Sequence, residues 1–216
     1  KSGGIYMIKT AELYSFILMT AFVSFLGFVI ENVWLAFTKG YIDNRNMTFP
    51  FLLGYGLVVI GIFLFFGTPE KLALFGRRIF KRTKKRQRYL IYLMIMFVVV
   101  CAGEIILGKL VEKICGFEYW NYSALPLHIT KYTSVFTSLG FAAAITFFMG
   151  FCFYPLLEMF SAVPYEISAV LSRLLSAVMI WDMIHSFSKM YKTRQLNVKW
   201  RKQIRLKNNE NIQTAK

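Results

Sequence analysis

Acidic residues are scarce in this chain, with 11 Asp and Glu against 26 Lys and Arg. In a soluble protein the resulting charge of +15 would suggest nucleic acid. Here the charge of either sign is missing from long stretches. It gathers at 70–88 and again from Lys189 onward. Cysteine is equally sparse. Cys101, Cys115 and Cys152 form no CxxC or other metal spacing and read as packing residues. His128 has no metal partner at usable spacing. The chain lacks HExxH, a Ser/His/Asp set and the nucleotide motif GxxxxGK[ST]. A zinc hydrolase, a triad enzyme and a self-contained ATPase are thereby excluded, and no cofactor or metal is implied.

What remains is apolar. Hydrophobic residues make up 56% and aromatic residues 18%, more than a soluble domain carries. Runs at about 13–37, 49–67, 89–112 and 133–154 are each long enough for a hydrocarbon core of about 30 Å. The first is too long for a cleavable signal peptide and has no cleavage pattern after it. The fold class expected is all-α, a polytopic transmembrane helix bundle with four or five membrane segments. Residues 1–187 form a single transmembrane domain, and 188–216 a basic, flexible tail. The segment 156–187 is the difficult one. With 68–88 inside and 117–131 outside, a fifth crossing places the basic tail outside, against the positive-inside rule. The last segment is therefore either interfacial or re-entrant, or this tail departs from the rule.

Within these runs a few polar residues stand out. Glu31 lies late in the first span, followed by Asn44 and Arg45 in the next loop. A carboxylate in such a run either snorkels to the interface or faces a polar cavity. Pro50 then opens the second run, with Gly54-Tyr55-Gly56 allowing either close helix packing or irregular backbone. Glu104, Gly108 and Glu112 fall at i, i+4 and i+8, so they share one helix face. The two glutamates are separated by about 12 Å along the axis, too far to act as a direct pair. After them comes an aromatic loop with Tyr119, Trp120, Asn121 and Tyr122. Its rings are interfacial anchors or part of a site. In a purely structural role the acids would pair with Arg45, Lys109 or Lys113 and hold helices together.

The order of these elements is more specific than any one of them. Glu31, Asn44-Arg45, Pro50 to Gly56, and Glu104 with Gly108 and Glu112 come first. Trp120-Asn-Tyr-Ser123, Leu139-Gly140, Pro155 and Asp182 follow. Together they resemble the ABC-transporter type IV, or CmpB-like, family of small bacterial membrane permease-like proteins, over roughly residues 15–185. Three positions depart from that pattern. Asn46 stands where the family usually has Gly, Asn121 where it has Asp, and Leu139 where it has Trp.

The resemblance implies a membrane transport component, permease-like or substrate-capturing, in the bacterial cytoplasmic membrane. Its polar cavity would be lined by Glu31, Asn44, Arg45, Tyr55, Glu104, Glu112, Trp120 and Tyr122. No catalytic residue is assigned. Expected partners are membrane lipids, a separate ATPase or other membrane subunit, and a second copy of the chain, with no nucleic acid. Two other readings stay open: an intramembrane enzyme acting on a lipid or polyprenyl substrate, and a structural or assembly subunit.

Overall fold

The computed structural model describes residues 10–204. Its helices are α1 Thr10–Lys39, α2 Leu53–Phe66, α3 Lys85–Cys115, α4 Val135–Phe147, α5 Phe153–Ser161 and α6 Tyr165–Thr193. Three small antiparallel ribbons accompany them. β1 Tyr41–Asp43 pairs with β6 Arg201–Gln203, β2 Ala73–Leu74 with β3 Arg77–Arg78, and β4 His128–Thr130 with β5 Thr133–Ser134. Five helical segments are long and apolar enough to cross a membrane, the fourth running unbroken from Val135 to Ser161. The chain runs up and down. Loops 40–52 and 116–134 therefore share one end with β6, and the basic loop 67–84 lies at the other.

The fourth span differs from its expected limits. Pro155 does not close it. A proline lacks the N–H for a helix bond, and its ring clashes with the carbonyl four residues back. The π-turn at Phe148–Cys152 widens the helix just before it, so Pro155 enters the first turn of α5 without breaking the segment. The reversal falls at 162–164, and α6 follows with 29 residues.

The region 188–204 also differs from the flexible tail expected of it. α6 continues to Thr193, and the chain then folds back to place β6 against β1. Its basic side chains are engaged locally. Arg201 lies 3.8 Å from Asp43 and 4.1 Å from the Tyr41 ring centre, and Lys199 Nζ donates to Thr48 Oγ1 at 2.5 Å. The basic residues after α6 thus sit at the opposite end of the bundle from loop 67–84. Arg205 and Lys207 lie outside the described residues.

Close approach of helices fixes the bundle. A Cβ on Gly56 would run into the Thr20 carbonyl oxygen, so α1 and α2 meet backbone to backbone, whereas Gly54 faces open space. Met19, Tyr92, Met96, Met149 and Phe153 are buried in the main core. Phe63 stacks on Phe153 at 4.4 Å, and the Tyr92 hydroxyl donates to the Gly67 carbonyl at 2.9 Å. The outward faces of α3 and α6 carry exposed Leu90, Val98, Ile106, Val170 and Ile184, as lipid-facing helices do.

Candidate functional site

The site begins with a tight turn after α1. Asn32 Oδ1 accepts the Asp43 N–H at 2.8 Å, and Asp43 Oδ1 accepts the Arg45 N–H at 2.9 Å. Met47 N–H closes the turn on the Asn44 carbonyl at 2.8 Å, with positive φ at both Arg45 (47°) and Asn46 (67°). Left-handed backbone costs a non-glycine residue about 1–2 kcal/mol, least for Asn. Asn46 can therefore stand where the family pattern has Gly. The turn aims Arg45 at α1, where its Nη2 lies 2.9 Å from Glu31 Oε2. The Tyr55 hydroxyl donates to the other oxygen, Glu31 Oε1, at 2.5 Å. One turn back on α1, Gly27 leaves room for the Tyr55 ring, which a Cβ would overlap.

Helix α3 repeats the arrangement. The Tyr132 ring covers Gly108, and its hydroxyl donates to Glu112 Oε2. Lys131 Nζ bridges Glu112 Oε1 at 2.9 Å and Glu118 Oε1 at 2.8 Å. The hydrogen bond from Lys131, aided by one from Asn121, holds the Glu118 carboxyl below the usual carboxylate range. Hydrogen bonds to Glu118 and Glu112 raise Lys131 in turn. Lys109 and Lys113 are exposed and leave Glu112 to Lys131.

Glu104 is different. It lies one turn before Gly108, half-buried, and its Oε2 accepts from Thr133 Oγ1 at 2.6 Å and Ser138 Oγ at 2.8 Å. Both hydroxyl residues are fully buried and lie 2.7 Å apart. Among the described residues Glu104 takes part in no ion pair.

Loop 116–134 brings the two helix pairs into one electrostatic neighbourhood. Burial pushes the Tyr119 hydroxyl up to about 12, with Arg45 opposing the shift and Glu31 and Asp43 adding to it. Burial also raises Tyr122, and Glu104 and then Glu31 add to that shift. Tyr122 therefore feels a carboxylate from each pair. The loop is fastened by Trp120 Nε1, which donates to the Tyr132 carbonyl at 2.9 Å, and by Tyr122 N–H to the Lys131 carbonyl at 2.8 Å.

Of the residues singled out in the sequence, Glu31, Arg45 and Tyr55 are joined by direct bonds. Tyr122 lies within electrostatic reach of Glu31 and Glu104, whose own bonds run to Thr133 and Ser138. Glu112 and Trp120 are linked to each other through Tyr132. Asn44 does not join the group. Its side chain is buried, with Nδ2 donating to the Met47 and Asn197 carbonyls and Oδ1 accepting the Lys199 N–H. It clasps the segment before β6, with help from Asn46, whose Oδ1 accepts the Asn197 N–H at 2.7 Å. Asp182 is likewise a fastening, its carboxylate accepting the Thr48 and Phe49 N–H groups. Sequence reasoning missed Lys131, Tyr132, Thr133 and Ser138 as partners of the α3 carboxylates. Their signal was slight: four polar or aromatic side chains just before and inside the start of an apolar run.

Chemically, the arrangement leaves one carboxylate neutralised by Arg45, one by Lys131, and one held only by neutral hydroxyls. Among the described residues no three His, Cys, Asp or Glu side chains gather as a metal cage. No curated protein and no solved structure matches the chain. A family model does match, over residues 18–187, and its description is "Putative ABC-transporter type IV"; with most of the sequence covered, the chain belongs to that family.

Proposed function

We propose that the protein is a permease-like or substrate-capture subunit of the bacterial cytoplasmic membrane, with Glu104 as the group that takes a cation or a proton. The observation that carries this reading is the asymmetry among its carboxylates. Glu31 and Glu112 each have a cationic partner, whereas Glu104 has two hydroxyls. A carboxylate at membrane depth without a counter-charge either holds a proton or waits for a cation. In this reading Tyr122 and the Glu31–Arg45 pair would form the facing wall of a polar cavity, a placement supported by the electrostatic influence of both Glu104 and Glu31 on Tyr122.

Residues 1–216 carry no nucleotide-binding motif, so in this reading any ATP hydrolysis that drives transport is supplied from outside this segment, by an ATPase partner. The test is to purify the tagged chain from its own membranes in several detergents and in lipid nanodiscs. Co-purification of an ATPase or a second membrane subunit is expected. Recovery of the chain alone under every condition would sink the subunit reading.

A further inference from the structure

At the end of the bundle away from the carboxylates, loop 67–84 folds over the start of α3. The chain reverses twice through left-handed non-glycine residues, at Phe75 (φ 48°) and Phe80 (φ 54°). Bulky side chains adopt that conformation only when their surroundings enforce it. The reversals bring Arg78 and Lys81 to a cavity of about 150 Å³ shared with Lys71 and Arg88. The acid on its wall, Glu70, is taken by Lys85 at 2.5 Å. The cations are not compensated to match. Among the described residues, Arg78, Lys81 and Arg88 make no side-chain hydrogen bond or ion pair, and Arg88 Nε is buried without an acceptor. Buried donors of this kind are rare and call for an acceptor. Lys71 lies over the Tyr154 ring at 4.9 Å, and the other three cations on the cavity call for an anion; a forked guanidinium suits phosphate oxygens.

We propose that this cavity binds a phosphate group, supplied by the headgroup of an anionic phospholipid. The rim favours a lipid as the source. Leu74, Phe75 and Phe80 are exposed beside the cations, with Phe75 at 73%. Apolar side chains next to clustered Lys and Arg suit the boundary where acyl chains give way to phosphates. This site is independent of the carboxylate end and of the transport reading.

The experiment uses the purified full chain in detergent, titrated with short-chain phosphatidylglycerol, short-chain phosphatidylcholine or inorganic phosphate at matched ionic strength. Thermal unfolding and native mass spectrometry are the readouts. Phosphatidylglycerol is expected to bind saturably and raise Tm, and phosphatidylcholine to do neither. Arg78→Ala/Lys81→Ala should weaken the apparent affinity by roughly tenfold. Arg77→Ala/Arg82→Ala, which removes the same charge from outside the cavity, should weaken it by less than about threefold. Should the first variant fail to fold, the exposed single change Lys81→Gln tests the same point. An equal response to inorganic phosphate upholds the phosphate site and overturns the lipid source. Equal losses in the two double variants, or no saturable binding of either ligand, overturn the site.

Discussion

Two parts of this molecule use one device. In α1 and α2, Gly27 admits the ring of Tyr55, whose hydroxyl meets Glu31 one turn on, and Arg45 closes the group with Asp43 behind it. In α3 and the approach to α4, Gly108, Tyr132, Glu112 and Lys131 do the same, with Glu118 behind. The difference lies one turn before each glycine. There α1 has Val23, buried in the core, and α3 has Glu104. The glycine, tyrosine, acid and cation therefore read as a helix-pair fastening made twice. The unmatched carboxylate is the residue left to explain by function.

The comparison breaks most severely at its glycines. Gly27→Ala and Gly108→Ala should each cost about 3 kcal/mol, because the new Cβ meets the root of a tyrosine ring that cannot swing aside. Equilibrium unfolding in mixed micelles measures this, and a loss in only one of the two would deny that the fastenings are equivalent. The cations should separate the halves. Arg45 and Glu31 are 21% and 23% exposed, against 37% for both Lys131 and Glu112. Arg45→Met is expected to destabilise by about 2–3 kcal/mol, since it strands a poorly solvated carboxylate, and Lys131→Met by clearly less, because water takes over the exposed pair. Equal losses would contradict the burial difference.

The unmatched acid should respond to chemistry more than to charge. Glu104→Leu, which strips an acceptor from Thr133 and Ser138, should cost about 2 kcal/mol. Glu104→Gln keeps an acceptor and should cost less than about 1 kcal/mol while removing activity in any transport assay of the assembled complex. Retained activity in Glu104→Gln would reassign the residue to structure.

The smallest effect concerns pH. Glu118 has a lowered folded pKa, so its contribution is present above about pH 4.3, the unfolded value, and fades as pH falls through the lower folded value. Lys131 is raised, so its share is whole below about pH 10.4 and fades as pH rises through the folded value. Both are solvent-facing, and salt should screen them. Melting curves of wild type and Glu118→Gln across acid pH, at low and high salt, would register the difference.

The class, a bundle of membrane-length helices, was legible because it depends on runs of residue type, and a run of apolar side chains has few other uses. Glu31, Arg45 and the α3 glutamates were conspicuous for the same reason. Their partners were not. Lys131 supplanted Lys109 and Lys113 because loop 116–134 folds back over α3, a tertiary event with no periodic trace. Asn44 looked like a cavity residue because its use by the backbone around Asn197 spans more than 150 positions of sequence. Pro155 marked a helix end by the ordinary rule, but the π-turn ahead of it absorbed the misfit. The segment after α6 looked like a charged tail because the three residues that pair with β1, Arg201, Lys202 and Gln203, are themselves charged or polar and carry no apolar strand pattern.

That pairing has a consequence for how the protein is made. Asn44 and Asn46 hold the Arg45 turn, yet their partners, at 197–199, are synthesised only after all five helices. Until then the turn has only its local bonds to Asn32, Asp43 and Met47, and Asn44 and Asn46 lack the backbone partners that the later segment supplies. A chain that stops before Asn197 is therefore expected to keep the Arg45 turn by its local bonds alone, without the clasp that ties it to the end of the bundle.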